Sequence, residues 1–341
     1  MQGQTGVLVD LEGLSHDAGE GHPERPARLS AVARAIGSDR DHSLVPLGPR
    51  EATQVEVTRV HTAAHFERMA GTSGRTVRLD PDTAASPRSF HAAVRAAGAA
   101  IAATEAVVDG TVRNAFVAVR PPGHHATPGS PMGFCLFNNV AIAARHAQRA
   151  LGLSRVAIVD FDVHHGNGTQ DAFYEDRDVL YVSSHQSPCY PGTGAPNEIG
   201  RGPGRGTTLN LPLCAGHGDR AYGAVWGAVV PRVVELFQPE LVLVSAGFDL
   251  MANDPIGGME VTAAGMRAIA ASLTALAERV AGGRIVMVLE GGYDEGNLAS
   301  GTLACIDALD AAEPAPMDEL DELRLGDVRK YLSALREVFR I

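Results

Sequence analysis

Arg155-Val156-Ala157-Ile158-Val159-Asp160-Phe161-Asp162-Val163-His164-His165-Gly166-Asn167-Gly168-Thr169 is the stretch that decides the fold. Its first half is apolar and β-branched and reads as a strand buried in a parallel sheet. Its second half puts carboxylates, imidazoles and glycines at that strand's carboxyl end, where open α/β sheets build their sites. Ionic groups directly after a core strand are costly to bury unless a metal or partner groups compensate them. Asp162 and His164 are two residues apart and point the same way if strand geometry persists. A carboxylate oxygen with an imidazole suits a zinc-like divalent ion. The plainer reading is a polar loop whose groups hydrogen-bond one another.

Outward from this stretch, short apolar runs alternate with Ala-rich helical ones. Strands are expected at Gly6–Asp10, Ala115–Val119, Val156–Asp160, Val179–Ser184, Thr207–Asn210, Leu241–Ala246 and Ile285–Leu289. Helices are expected at Ala27–Ile36, Ser89–Val108, Asn138–Ala150, Arg220–Phe237, Thr262–Val280 and Asn297–Leu309. This alternation predicts an α/β fold: a mainly parallel sheet with helices on both faces. No linker divides residues 1–341, so one domain is expected, with an acidic surface segment over Ala312–Asp327 and a short helix over Val328–Ile341.

Polar clusters follow several of the strands. Arg120-Pro121-Pro122-Gly123-His124-His125 follows one, Gly247-Phe248-Asp249 a second and Glu290-Gly291-Gly292-Tyr293 a third. In one parallel sheet all of them lie at the same edge. That convergence is stronger evidence of a site than any single motif.

Composition narrows the function. A net charge of −11 and a single lysine, Lys330, argue against nucleic-acid binding, which needs basic clusters for phosphates. No apolar stretch reaches the ~20 residues of a membrane span. The 4 cysteines, Cys135, Cys189, Cys214 and Cys305, form no C-x-x-C pair, so a reduced cytoplasmic setting is expected.

The set His22-Pro23-Glu24-Arg25-Pro26-Ala27-Arg28, Arg120–His125, Gly133-Phe134-Cys135-Leu136-Phe137-Asn138-Asn139, Asp160–Thr169, Ser245–Asp249 and Glu290–Tyr293 resembles the zinc-dependent histone deacetylase family. That family includes bacterial acetylpolyamine amidohydrolases. Asn167, where some members have Asp, looks more like the class II branch. The resemblance implies a three-layer arginase/deacetylase-like fold and hydrolysis of an acylated amine. It implies Asp162, His164 and Asp249 as zinc ligands, with ferrous iron the alternative metal in the cell. An open fourth position is what a catalytic zinc needs.

By the same resemblance, His125 is general base and acid, oriented by Asn167, and His124 is oriented by Asp160. A neutral amide orients an imidazole without stabilising its charged form as a carboxylate does, which makes His124–Asp160 the charge-assisted pair and His125–Asn167 the titrating one. Tyr293 is the expected donor to the developing oxyanion, presented by Gly291 and Gly292. Gly133, Phe134 and Tyr190 match tunnel positions, and Arg28 matches a residue near an acetate cavity. The backbone carbonyls of Asp160, Asp162 and His164, with Ser183, resemble an inner monovalent-cation site for a structural potassium ion. His16, His42, His61, His65, His91, His146, His185 and His217 read as structural or surface residues.

Members selective for acetylpolyamines can carry an acidic gatekeeper in the loop after the third metal ligand. Here that loop is Asp254-Pro255-Ile256-Gly257-Gly258, and Ile256 cannot attract a distal ammonium by Coulomb interaction. This favours acetyl-lysine-like substrates over acetylpolyamines or other small metabolites. A binuclear manganese ureohydrolase would need a second set of bridging ligands, and the chain has one Asp-x-Asp-x-His run. A non-catalytic acyl-lysine binder should lack His125, Tyr293 or a metal ligand, and none is missing.

Overall fold

The computed structural model describes residues 4–39 and 41–311. The segment and helix expected over 312–341 lie outside them. In chain order the elements are β1 (Thr5–Val9), α1 (Pro26–Ser38), β2 (Val45–Pro46), α2 (Gln54–Val57), α3 (Ala63–Ala70), β3 (Val77–Arg78), β4 (Ala84–Ala85), α4 (Ser89–Val108), β5 (Asn114–Ala118), α5 (Asn139–Arg149) and β6 (Val156–Asp160). There follow α6 (Asn167–Phe173), β7 (Val179–Gln186), β8 (Thr208–Leu213), α7 (Asp219–Ala224), α8 (Val230–Phe237), β9 (Leu241–Ala246), α9 (Ala263–Ala281), β10 (Ile285–Leu289) and α10 (Glu295–Asp310).

One 8-stranded sheet runs β2-β1-β5-β10-β9-β6-β7-β8, and its neighbouring strands pair in parallel. The expected α/β fold is therefore what the chain adopts. β5, β6, β9 and β10 are buried along their whole length. Their side chains divide by the period of two that a strand imposes. Ala157, Val159, Val242, Val244, Ile285 and Met287 pack with Trp226, Ile269 and Leu276 on one face. Ile158, Leu243, Val286 and Val288 pack with the alanines of α4 and α5 on the other. Each Val, Leu, Ile or Met among them contributes about 1.5–3 kcal/mol by burial.

Helix ends follow local chemistry. The Asn138 side chain accepts the Ala141 N–H at the start of α5, the Thr262 hydroxyl accepts the Gly265 N–H at α9, and Asp294 accepts the Asn297 N–H at α10.

Three local features differ from expectation. The helix expected over Arg220–Phe237 is interrupted by a π-helical turn at Val225–Val229, closed by Val230 N–H to the Val225 carbonyl. Pro231 supplies the reason: it has no N–H to donate and its ring crowds the carbonyl four residues back. The last strands run further than expected, β7 to Gln186 and β8 to Leu213, because each gains a full parallel ladder from the other. The short helices α2, α3 and α6, and the antiparallel pair β3–β4, span too few residues to show a period in sequence.

Candidate metal and catalytic site

The parallel order brings the carboxyl ends of β5, β10, β9 and β6 side by side, so all the strand-end clusters converge. Asp160 is in register with Ser245 on one side and Ser183 on the other. Directly beyond it, Asp162 and His164 meet Asp249 from the turn after β9, with ligating atoms of all three buried within 4.8 Å of one another. His164 Nδ1 stands 3.2 Å from Asp162 Oδ1 and 3.2 Å from Asp249 Oδ2.

Backbone amides fix the remaining oxygens. Asp162 Oδ2 accepts the Gly291 N–H at 2.8 Å, and Asp249 Oδ1 accepts the Val163 N–H at 2.9 Å. Asp249 Oδ2 is buried without a hydrogen-bond donor. Burial and then the neighbouring Asp162 carboxylate push Asp249 up to about 7. A divalent cation held there would offset that repulsion, and a carboxylate-imidazole-carboxylate set fits zinc. A Cβ at Gly291 would stand 2.2 Å from Asp249 Oδ2, so only glycine lets the β10 loop close over the triad.

The tandem histidines lie against this triad and differ in partner. His124 Nδ1 pairs with Asp160 Oδ2 at 3.0 Å, and the Tyr181 hydroxyl donates to the same oxygen at 3.0 Å. Burial disfavours the His124 imidazolium, but Asp162 and Asp160 outweigh it and hold the group up to about 10. His125 Nδ1 donates to Asn167 Oδ1 at 2.9 Å. Burial, then the neighbouring His124 and His164, hold His125 well below the usual imidazole range. The His125 ring centroid is 4.0 Å from His124, 5.8 Å from His164 and 5.0 Å from Tyr190.

The loop that carries both histidines hangs on Glu290. Its Oε2 accepts the Gly123 N–H at 2.6 Å and the His124 N–H at 3.1 Å, and its Oε1 accepts the Ser245 hydroxyl at 3.1 Å. Burial pushes Glu290 up to about 7. The sequence marks Glu290 as part of a polar cluster without giving it a task.

Tyr293 is nearly buried, and burial holds its hydroxyl well above the usual phenol range, so the group stays protonated and able to donate. Its ring meets Phe134 edge-on at 5.9 Å. Arg28 lies beneath the ring, 4.8 Å from the centroid. Arg28 is 0% exposed, so it makes no surface ion pair. Its guanidinium donates to the Gly292 carbonyl at 2.5 Å, the Glu290 carbonyl at 2.6 Å and Glu24 Oε1 at 2.9 Å. Glu24 also pairs with Arg120, and with His16 at 3.2 Å. This buried network links α1 to the strand end after β5. The repeated acid and base in His22–Arg28 is its sequence signal.

Gly133 and Phe134 adopt left-handed backbone, φ 54° and 69°. A Cβ at Gly133 would stand 2.4 Å from the His125 ring, so glycine allows this close approach. Tyr190 is 38% exposed and stands over His125 and His164, centroids 5.0 and 6.2 Å away. Ile256 is half-buried in the loop beyond Asp249. Ser183 is buried, with its hydroxyl 3.0 Å from His185 Nδ1. Of the histidines read as structural, His61 and His65 brace the loop before α5. His61 Nδ1 donates to the Thr127 carbonyl at 2.9 Å and its Nε2 accepts the Asn138 N–H at 2.9 Å, while His65 Nε2 donates to the Leu136 carbonyl at 2.8 Å.

Comparison with known proteins shows the family. The histone deacetylase domain model matches residues 22–309. A probable deacetylase of Methanothermobacter thermautotrophicus is 43% identical over 324 residues, 94% of this chain and 94% of that protein. Histone deacetylase 14, chloroplastic, of Arabidopsis thaliana is 42% identical over 84% of this chain and 72% of that protein. A histone deacetylase-like amidohydrolase of Pseudomonas aeruginosa is 40% identical over 89% of this chain and 80% of that protein. The crystal structure of an HDA15 HD domain superposes with a TM-score of 0.90 at 38% identity, covering 100% of this chain and 96% of the other. With its strand-end triad, tandem histidines and tyrosine in one buried site, the chain belongs to the histone deacetylase family and is a deacetylase hydrolase.

Proposed function

We propose that the protein is a zinc-dependent amidohydrolase that removes an acetyl or similar acyl group from an acetyl-lysine-like amine. The observation that carries this reading is the orphaned, buried Asp249 Oδ2 facing His164 Nδ1, with the His125–Asn167 pair alongside. Zinc held by Asp162, His164 and Asp249 would supply Lewis-acid polarisation of the amide carbonyl and activation of water. His125 is neutral at neutral pH and donates through Nδ1 to Asn167, which leaves Nε2 to take a proton from the attacking water. The same nitrogen then returns the proton to the leaving amine. His124 keeps its charge against Asp160 and supplies a fixed positive field. Tyr293 donates its hydroxyl hydrogen bond to the oxyanion as charge develops.

Phe134 and Tyr190 are assigned to the walls of the tunnel for the aliphatic stem, with Gly133 and Gly292 offering backbone. Arg28 sits behind this site, where released acetate would be handled. A structural potassium ion on the carbonyls of Asp160, Asp162 and His164 with Ser183 belongs to the same proposal. So does a cytoplasmic setting, which the free thiols of Cys135, Cys189, Cys214 and Cys305 support.

A second reading, acetylpolyamine hydrolysis, has one observation in its favour. Asp82 Oδ1 accepts the Gly133 N–H at 3.2 Å, so a carboxylate stands beside the backbone assigned to the tunnel, whereas Ile256 carries no charge and Asp254 spends both oxygens on backbone amides. Steady-state kcat/KM for an acetyl-lysine peptide, acetylputrescine and acetylspermidine on one zinc-loaded preparation decides between them. Preference for the peptide is expected, and preference for acetylspermidine would overturn the lysine reading.

A further inference from the structure

Asp254 is 6% exposed and accepts hydrogen bonds from amides of two separate segments. Its Oδ2 takes the Tyr293 N–H at 2.7 Å and the Asp294 N–H at 3.3 Å. Its Oδ1 takes the Ile256 N–H at 2.9 Å and the Gly257 N–H at 3.2 Å. A carboxylate has about four acceptor positions, and here all are used on backbone. Such charge-assisted bonds are roughly twice as strong as neutral ones. A second stitch runs alongside, from Asn297 Nδ2 to the Ala252 carbonyl at 2.9 Å. The loop on Ile256 and the loop on Tyr293 are therefore one unit with Asp254 as its joint.

The amide of Tyr293 lies one bond from its Cα, so holding that amide sets where the ring begins. Arg28 beneath the ring and Phe134 at its edge then fix where it points. We propose that Asp254 is a positioning residue that couples the placement of the Tyr293 hydroxyl to the tunnel-mouth loop carrying Ile256. This rests on the reading of Tyr293 as oxyanion donor. Misplacement of a reacting group by about 1 Å costs on the order of 10²-fold, and Asp254 is the residue whose loss permits it.

Asp254→Asn keeps the shape but turns an NH2 toward one pair of amide N–H groups. On zinc-loaded enzyme it should lower kcat by on the order of 10–10²-fold with KM for a short acetyl-lysine substrate and zinc content little changed. In a Tyr293→Phe background the same substitution should cost little, because the hydroxyl it positions is gone. A full, additive penalty there overturns the proposal while leaving the donor reading intact. Near-native kcat in Tyr293→Phe alone overturns the donor reading and the proposal with it. Should Asp254→Asn not fold, native-state hydrogen exchange on the unsubstituted enzyme decides. Amides of Tyr293, Asp294, Ile256 and Gly257 should open together, and independent opening of the two pairs overturns the coupling.

Discussion

The ends of β6 and β9 hold their functional groups differently from the loops that face them. Asp160 sits on the last rung of a buried ladder with strands on both sides, and Asp162 and Asp249 follow directly beyond the ends of β6 and β9. His125, Phe134, Tyr190, Ile256 and Tyr293 sit on loops with no ladder. Single buried acceptors reaching across the fold hold several of those loops in place, such as Glu290 to the amide of His124 and Asp254 to the amide of Tyr293. The charge-dense half thus starts directly from buried strand ends, while the half proposed to shape substrate and transition state is tethered to it. Tethering lets loops change substrate without disturbing the ligands. It also makes their placement depend on a few carboxylates.

The sharpest way to break this comparison is on the strand side. Asp249→Ala should abolish stoichiometric zinc binding and lower kcat/KM by on the order of 10³-fold or more, since Lewis-acid stabilisation is worth several kcal/mol. Metal analysis after desalting, beside the kinetics, checks it. Full zinc content with lost turnover would mean that the ligand set is misassigned.

The two adjacent histidines are the comparison in miniature: one backbone, a carboxylate partner for one ring and an amide for the other. His125→Ala should cost ~10²–10⁴-fold at neutral pH, and His124→Ala less, because the proposed mechanism gives the proton transfer to His125 alone. The partner also sets the pH profile. His125 is held well below its ordinary range, so activity that needs its neutral form persists at neutral pH and is lost only as pH falls through the depressed value. Asn167→Asp places a carboxylate on Nδ1 and favours the imidazolium. The acid limb of kcat/KM should therefore move to higher pH, by on the order of one unit. An unmoved limb would mean that another group controls it.

The same division decides what could be read from sequence. β6, β9 and β10 were legible to the residue because each is an apolar run that stops at an acid or a serine-alanine pair. Asp162 and His164 were legible as an acid and an imidazole directly after a core strand, although β6 ends at Asp160 and the chain bends over 162–164 instead of continuing as strand. The task of Asp254 was not legible, and Glu24 was legible only as part of a motif without its partners, since those lie 39 residues away at Tyr293 and 96 away at Arg120. Spacing of that kind carries no periodic signal. The network of Tyr181, Asp160 and His124 was half visible. Tyr181 reads as an ordinary strand residue until the register places it beside Asp160.

On the loop side, Tyr293→Phe should lower kcat ~10²–10³-fold and change KM little, because the role proposed for the hydroxyl is in the transition state. The ring contacts with Arg28 and Phe134 do not need the hydroxyl, so stability should hold. Near-native kcat would make Tyr293 a packing residue.

The smallest effect tests the outermost loop. Ile256 is half-buried beyond Asp249, and its amide is pinned by Asp254. A carboxylate there would face a distal ammonium, and isoleucine cannot. Ile256→Glu should raise the ratio of acetylspermidine to acetyl-lysine-peptide kcat/KM. A partly solvated pair is worth ~1 kcal/mol, hence a several-fold change, and added salt should shrink it. Asp80 and Asp82 set the baseline, because carboxylates already near Tyr190 would supply part of that attraction before the substitution. The gain should therefore grow when Asp80→Asn is made first. If the ratio stays fixed at low ionic strength in both backgrounds, Ile256 does not face the substrate. The proposed preference for acetyl-lysine would then lose its main support.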